Sequence, residues 1–110
     1  MSEKINIIIP AIKIDEELLK CLKEINKINY SNFFVSIVLD YDEYSWLPKF
    51  KYKIHKLIVG KINMSKKRNL AAKKFKSKYI AFIDSDAYPN RTWLKLAIKY
   101  LKQKKDIVIG

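Results

Sequence analysis

Glycine is nearly missing from this chain of 110 residues, with Gly60 and Gly110 its only two. A P-loop and a dinucleotide-binding turn both need several glycines for the backbone to approach a phosphate, so neither is present. Cys21 stands alone, which rules out an internal disulfide and gives no sign of an oxidising compartment. The one histidine, His55, falls within a predicted strand, where a packed or solvated ring is the simpler role than a ligand or base. A zinc site built from cysteine and histidine therefore has no support. No serine occupies a nucleophile elbow, which weakens hydrolase readings. Long apolar runs are also lacking, and the stretch near the N-terminus is too short for a signal peptide or a membrane-crossing helix.

What the chain has in excess is lysine. Its formal charge is +12, yet Arg68 and Arg91 are the only arginines. Sequence-specific nucleic-acid readout favours arginine for bidentate contacts, so nucleic acid is a disfavoured partner despite a general attraction to polyanions. Hydrophobic residues make up 49% of the chain, enough for one globular domain over residues 1–110. A soluble, cytoplasmic protein is the expectation, with peripheral contact at the inner membrane surface through lysines left open.

Apolar runs alternate with amphipathic stretches. Ile5 to Ile9 and Val35 to Leu39 read as buried strands, Ile54 to Val59 as a third strand and Lys78 to Ile83 as a fourth, and Asp106 to Ile109 begins a fifth. Between them, a helix runs from Asp15 to about Ile28 with Leu18, Leu22 and Ile25 on one face and Asp15 as its cap. A second is capped by Ser65 and runs to about Lys76 with Ala71, Ala72 and Phe75 inward, and a third starts near Asn90. The stretch from Asp40 to Lys53 is the longest connection, long enough to be functional or packed. Strands apolar throughout and alternating with helices predict an α/β, Rossmann-like three-layer sandwich around a mostly parallel sheet.

In such a sheet ligands bind beyond the carboxyl ends of the strands, where the winding reverses. Pro10-Ala11, Asp40-Tyr41-Asp42, Gly60-Lys61 and Asp84-Ser85-Asp86 all fall at those ends, whereas Asp106 falls at the opposite rim. Two carboxylates one residue apart suit a hard divalent cation, Mg²⁺ or Mn²⁺, whose shell is completed by substrate phosphates. The same spacing also serves as a plain turn that ends a strand. Met64-Ser65-Lys66-Lys67-Arg68-Asn69 opens a helix at the same rim, where terminal amides and basic side chains favour a phosphate. The alternative leaves Lys66 and Lys67 solvated, with Arg68 paired to a carboxylate of the fold.

Taken in order, strand-Pro, helix, strand-Asp, strand-Gly, Ser-x-Lys-Arg-Asn-Leu-Ala and Tyr-Ile-Ala-Phe-Ile-Asp-Ser-Asp-Ala-Tyr-Pro-x-x-x-Trp-Leu, the chain resembles the N-terminal nucleotide-sugar-binding half of the family 2 glycosyltransferases. The resemblance covers nearly the whole chain and is most specific from Ser65 to Leu94. It implies a GT-A fold with the first and fourth strands beside the reversal point. It also implies that Asp86 ligates the divalent metal, with Asp84 shared between metal and ribose and Ser85 between them in the nucleotide-sugar site. Pro10 and Ala11 match the loop beside the nucleotide base, Asp40 the acid that contacts the base, and Arg68 with Asn69 the basic element near the nucleotide. The family's acidic pair followed by Gly-Ser is replaced here by Asp40-Tyr41-Asp42-Glu43, which leaves the nucleotide open.

The function this implies is metal-assisted binding of a nucleotide-diphosphate sugar, for inverting transfer if an acceptor-binding half is supplied. No catalytic base is assigned in this chain. The apolar strand Ile107-Val108-Ile109-Gly110 invites pairing with another chain, either a second copy or a different subunit. The competing readings are a basic nucleic-acid-binding module and a non-catalytic partner subunit.

Overall fold

Two strands buried over their whole length form the middle of the sheet. The computed structural model describes residues 5–28, 32–42 and 47–83, and within them β1 (Ile5–Pro10) and β2 (Phe33–Leu39) are buried at every position. β3 (Lys53–Ile58) and β4 (Tyr79–Phe82) flank them, giving a four-stranded, all-parallel sheet in the order β3-β2-β1-β4. The register aligns Ile7 with Val35 and with Ala81, so one odd-numbered row crosses the three strands. This is the α/β, Rossmann-like fold that the pattern of strands predicts. The third helix, the fifth strand, the acid pair from Asp84 to Asp86 and residues 43–46 lie outside the described residues.

Period-two alternation assigns each face of the sheet to a different helix. Ile5, Ile7 and Ile9 join Val35, Ile37 and Leu39 in a core with Leu18, Cys21, Leu22 and Ile25 of helix α1 (Glu16–Ile25). Each such aliphatic side chain contributes about 1.5–3 kcal/mol on burial. Asp15 caps α1 as expected, its carboxylate accepting from Leu18 N–H at 2.9 Å. The helix stops at Ile25 rather than Ile28, because Lys27 and Ile28 turn to three-residue bonds with Glu24 and Ile25. The end of the long 40–53 connection is packed: Tyr52 stacks on Phe50, tilts against Phe33 and donates its hydroxyl to Leu22 O at 2.7 Å.

The other face carries helix α2 (Met64–Lys74) over a smaller core of Ile8, Val38 and Ala71. Its cap is Asn63, whose side chain accepts from Lys66 N–H, and not Ser65, which sits inside the first turn. Asparagine caps as well as serine does, so both residues satisfied the rule and the turn geometry chose the earlier one. A buried polar chain anchors the far end of α2: Ser36 Oγ donates to Asn6 Oδ1 at 2.6 Å, and Asn6 Nδ2 donates to Phe75 O at 2.9 Å. His55 is packed as predicted, stacked on Phe75 at 4.5 Å and edge-on to Phe34. Among the described residues no helix is long and apolar enough to cross a membrane.

Burial raises the Tyr52 phenol above its usual value near 10, and Cys21 adds to the effect. Above about pH 10 the unfolded chain therefore gives up a proton that the folded chain keeps, and this residue's contribution to stability, complete below that pH, is lost as pH rises. Tyr52→Phe should cost about 1 kcal/mol at pH 7 through the lost hydrogen bond. In urea unfolding series that deficit should shrink above about pH 10; a deficit constant to pH 11 would contradict the assignment.

Candidate functional site

The carboxyl ends of the strands are bound to one another beyond the last ladder pairs. Ala11 N–H donates to Val38 O and Asp40 N–H to Ile12 O, both at 2.9 Å, while Val59 and Gly60 N–H reach Leu39 O and Asp40 O. Gly60 can turn there because its φ is +78°, a conformation that costs glycine little. Ile83 N–H donates to Ile8 O, so β4 reaches the rim beside β1. The order β3-β2-β1-β4 places the reversal of winding between β1 and β4, the position where open parallel sheets bind ligands.

Three of the expected site residues meet at this rim. Pro10 and Ala11 are buried at the end of β1, and Asp40 follows β2 next to them. The link between them is Lys67, which is 2% exposed. Its Nζ donates to Ala11 O at 2.8 Å and forms an ion pair with Asp40 Oδ1. This excludes the solvated Lys67 of the alternative reading. The inward spacing of Ala71 and Phe75, continued back by four residues, lands on position 67, so the signal was in the sequence but was overridden by residue type.

Arg68, the next residue of α2, lies over the Phe82 ring at 5.5 Å, on the β4 side of the reversal point. The first turn of α2 thus straddles the ends of β2, β1 and β4. Asn69 is not brought to this group; it is exposed and lines a cleft of about 400 Å³ with Val59, Ile62 and Leu70. Asp84, Ser85 and Asp86 lie outside the described residues. Among the described residues no group of three or more His, Cys, Asp or Glu side chains is arranged to hold a metal. Asp42 forms an exposed ion pair with Lys56 at 2.8 Å, set apart from the buried one.

A sequence-family model described as Glycosyl transferase family 2 matches residues 6–110. The chain belongs to that family. Comparison with curated proteins gives no match. Among solved structures, S. aureus TarS residues 1–349 is similar with 24% identity and a TM-score of 0.72, covering 91% of this chain and 32% of TarS 1–349. The same TarS fragment in complex with UDP-GlcNAc gives 24% identity and a TM-score of 0.72, with 91% and 31% covered. Longer TarS gives 22% identity and a TM-score of 0.69, with 91% and 20% covered. These likenesses establish the GT-A type of fold, and this chain spans about a third of TarS 1–349.

The two ion pairs at the rim should behave differently. Asp40→Ala leaves a buried ammonium without its counter-charge and should cost about 3–5 kcal/mol in urea unfolding, whereas Lys56→Met should stay within about 0.5 kcal/mol of the parent. Equal effects from the two would contradict the burial of Lys67.

Proposed function

We propose that this glycosyltransferase-family chain binds a nucleoside-diphosphate sugar at the rim between β1 and β4 and so supplies the donor side of an inverting glycosyl transfer. The observation that carries the reading is the convergence of Ala11, Asp40 and Arg68 at the reversal point of the sheet, around the first turn of α2. In this arrangement Pro10, Ala11 and Asp40 form the nucleoside end. Arg68 and the positive end of α2 favour the diphosphate, and the first turn of α2 holds no acidic residue to oppose an anion. The binding of UDP-GlcNAc by TarS supports a uridine nucleotide as the first ligand to try.

Asp84 and Asp86 would hold the divalent cation, since carboxylate oxygens suit Mg²⁺ or Mn²⁺ and each cation accepts further oxygens from phosphates. When bound, such a cation offsets the negative charge that gathers on a departing diphosphate. Inverting transfer also needs a base for the acceptor hydroxyl. None of the rim residues is assigned that role, and we place it in the part of the fold that TarS has and this chain does not span.

Calorimetric titration with UDP and UDP-GlcNAc should show binding with Mn²⁺ or Mg²⁺ and little in EDTA, and Asp86→Ala should remove the metal-dependent part. Binding of equal strength in EDTA would overturn the proposed site.

A further inference from the structure

Among the described residues Lys67 is the one charged side chain in the buried class, and its surroundings show what it holds. Its ammonium reaches two loops at once, Ala11 O after β1 and Asp40 Oδ1 after β2. Asp40 is fixed at its other polar atoms too: its N–H donates to Ile12 O and its C=O accepts from Gly60 N–H. Three of the four polar atoms of Asp40 are therefore committed to the protein. Of the four, Oδ2 alone has no partner among the described residues, on a side chain that is 14% exposed at the rim.

A buried ion pair is a poor means of adding stability, because desolvating both charges roughly cancels their attraction. What it supplies is a fixed geometry, and here the geometry fixes one free carboxylate oxygen and one loop carbonyl. We infer that Lys67 is a positioning residue for the nucleoside end of the donor site. It turns Asp40 so that Oδ2 can accept an N–H of the base, and it holds the Ala11 loop against Asp40. The inference rests on the nucleotide-sugar reading above and adds to it a residue that touches no part of the ligand. An oriented acceptor costs nothing to arrange when the ligand arrives, which is how pre-organisation raises affinity.

The test is calorimetric titration of the folded protein with UDP and with uridine, in the presence of Mn²⁺, for wild type, Lys67→Met, Asp40→Asn, the double variant and Lys53→Met as a control for lost surface charge. Lys67→Met should weaken UDP and uridine by the same factor, about tenfold, as expected for a charged hydrogen bond that is no longer aligned. In the Asp40→Asn background the same change should matter less than about twofold, because a residue acting through Asp40 has nothing left to position. Lys53→Met should bind as wild type does. Wild-type affinity in folded Lys67→Met would overturn the inference, as would a loss seen for UDP but not uridine, which would mean a direct contact with the diphosphate. A purely structural role would lower the melting temperature and leave the folded protein's affinity unmoved. If Lys67→Met does not fold, the double variant against Asp40→Asn decides: matched affinities support the inference, and a further loss of about tenfold rejects it. Absence of UDP and uridine binding in wild type would defeat the nucleotide reading and the inference with it, whereas wild-type binding matched by Lys67→Met defeats the inference alone.

Discussion

A lysine ammonium that leaves water must find fixed oxygens, and the position of α2 on the sheet follows from where Lys67 finds them. Helix α2 has little else to dock with. Its buried residues are Lys67 and Ala71, and the core beneath it is the smaller of the two. The hydrocarbon stem of Lys67 adds apolar contact, while its head fixes the start of the helix over the ends of β1 and β2. At the other end, Asn6 holds Phe75 O through a side chain that Ser36 also orients. Two polar anchors thus define the helix axis where apolar burial alone would permit sliding.

That placement is what gives the rim its chemistry. With Lys67 turned inward, the helical rotation of about 100° per residue carries Arg68 toward β4, where it meets Phe82. One turn of helix therefore carries Lys67 to the loops after β1 and β2 and Arg68 to the β4 side. The fold class alone would not specify this, because many functions share parallel α/β sheets. Membership of glycosyl transferase family 2 is what the proposed donor site at this rim builds on, and the buried pair ties the loops after β1 and β2 together there.

Much of this was legible in the residues. The mainly apolar runs at 5–9 and 35–39 announced central parallel strands, Asp15 announced the start of α1, and a ring at position 55 inside a strand announced a packed or solvated side chain rather than a ligand or base. The start of α2 slipped because two residues could serve equally, Asn63 and Ser65, and the end of α1 because Lys27 and Ile28 turn to three-residue bonds. The burial of Lys67, weighed only as a lysine near a phosphate or a solvated one, was not foreseen for a different reason. Lysine is so rarely buried that its type outweighed its place four residues before Ala71, and only the convergence of Ala11 O and Asp40, distant in sequence, makes burial tolerable. The carboxylates at 84 and 86 belong to the resemblance and to the proposal drawn from it.

The central claim is that the nucleotide sits at the rim where α2 straddles the strand ends. Its most direct test is a ¹⁵N-resolved NMR titration of the chain with UDP and Mg²⁺. The account predicts shifts concentrated on the amides of Ala11, Ile12, Tyr41, Gly60 and Arg68, with those of Leu22, Lys51 and Tyr52 unmoved. Shifts that instead follow the lysines of α1, or spread evenly over the surface, would contradict it.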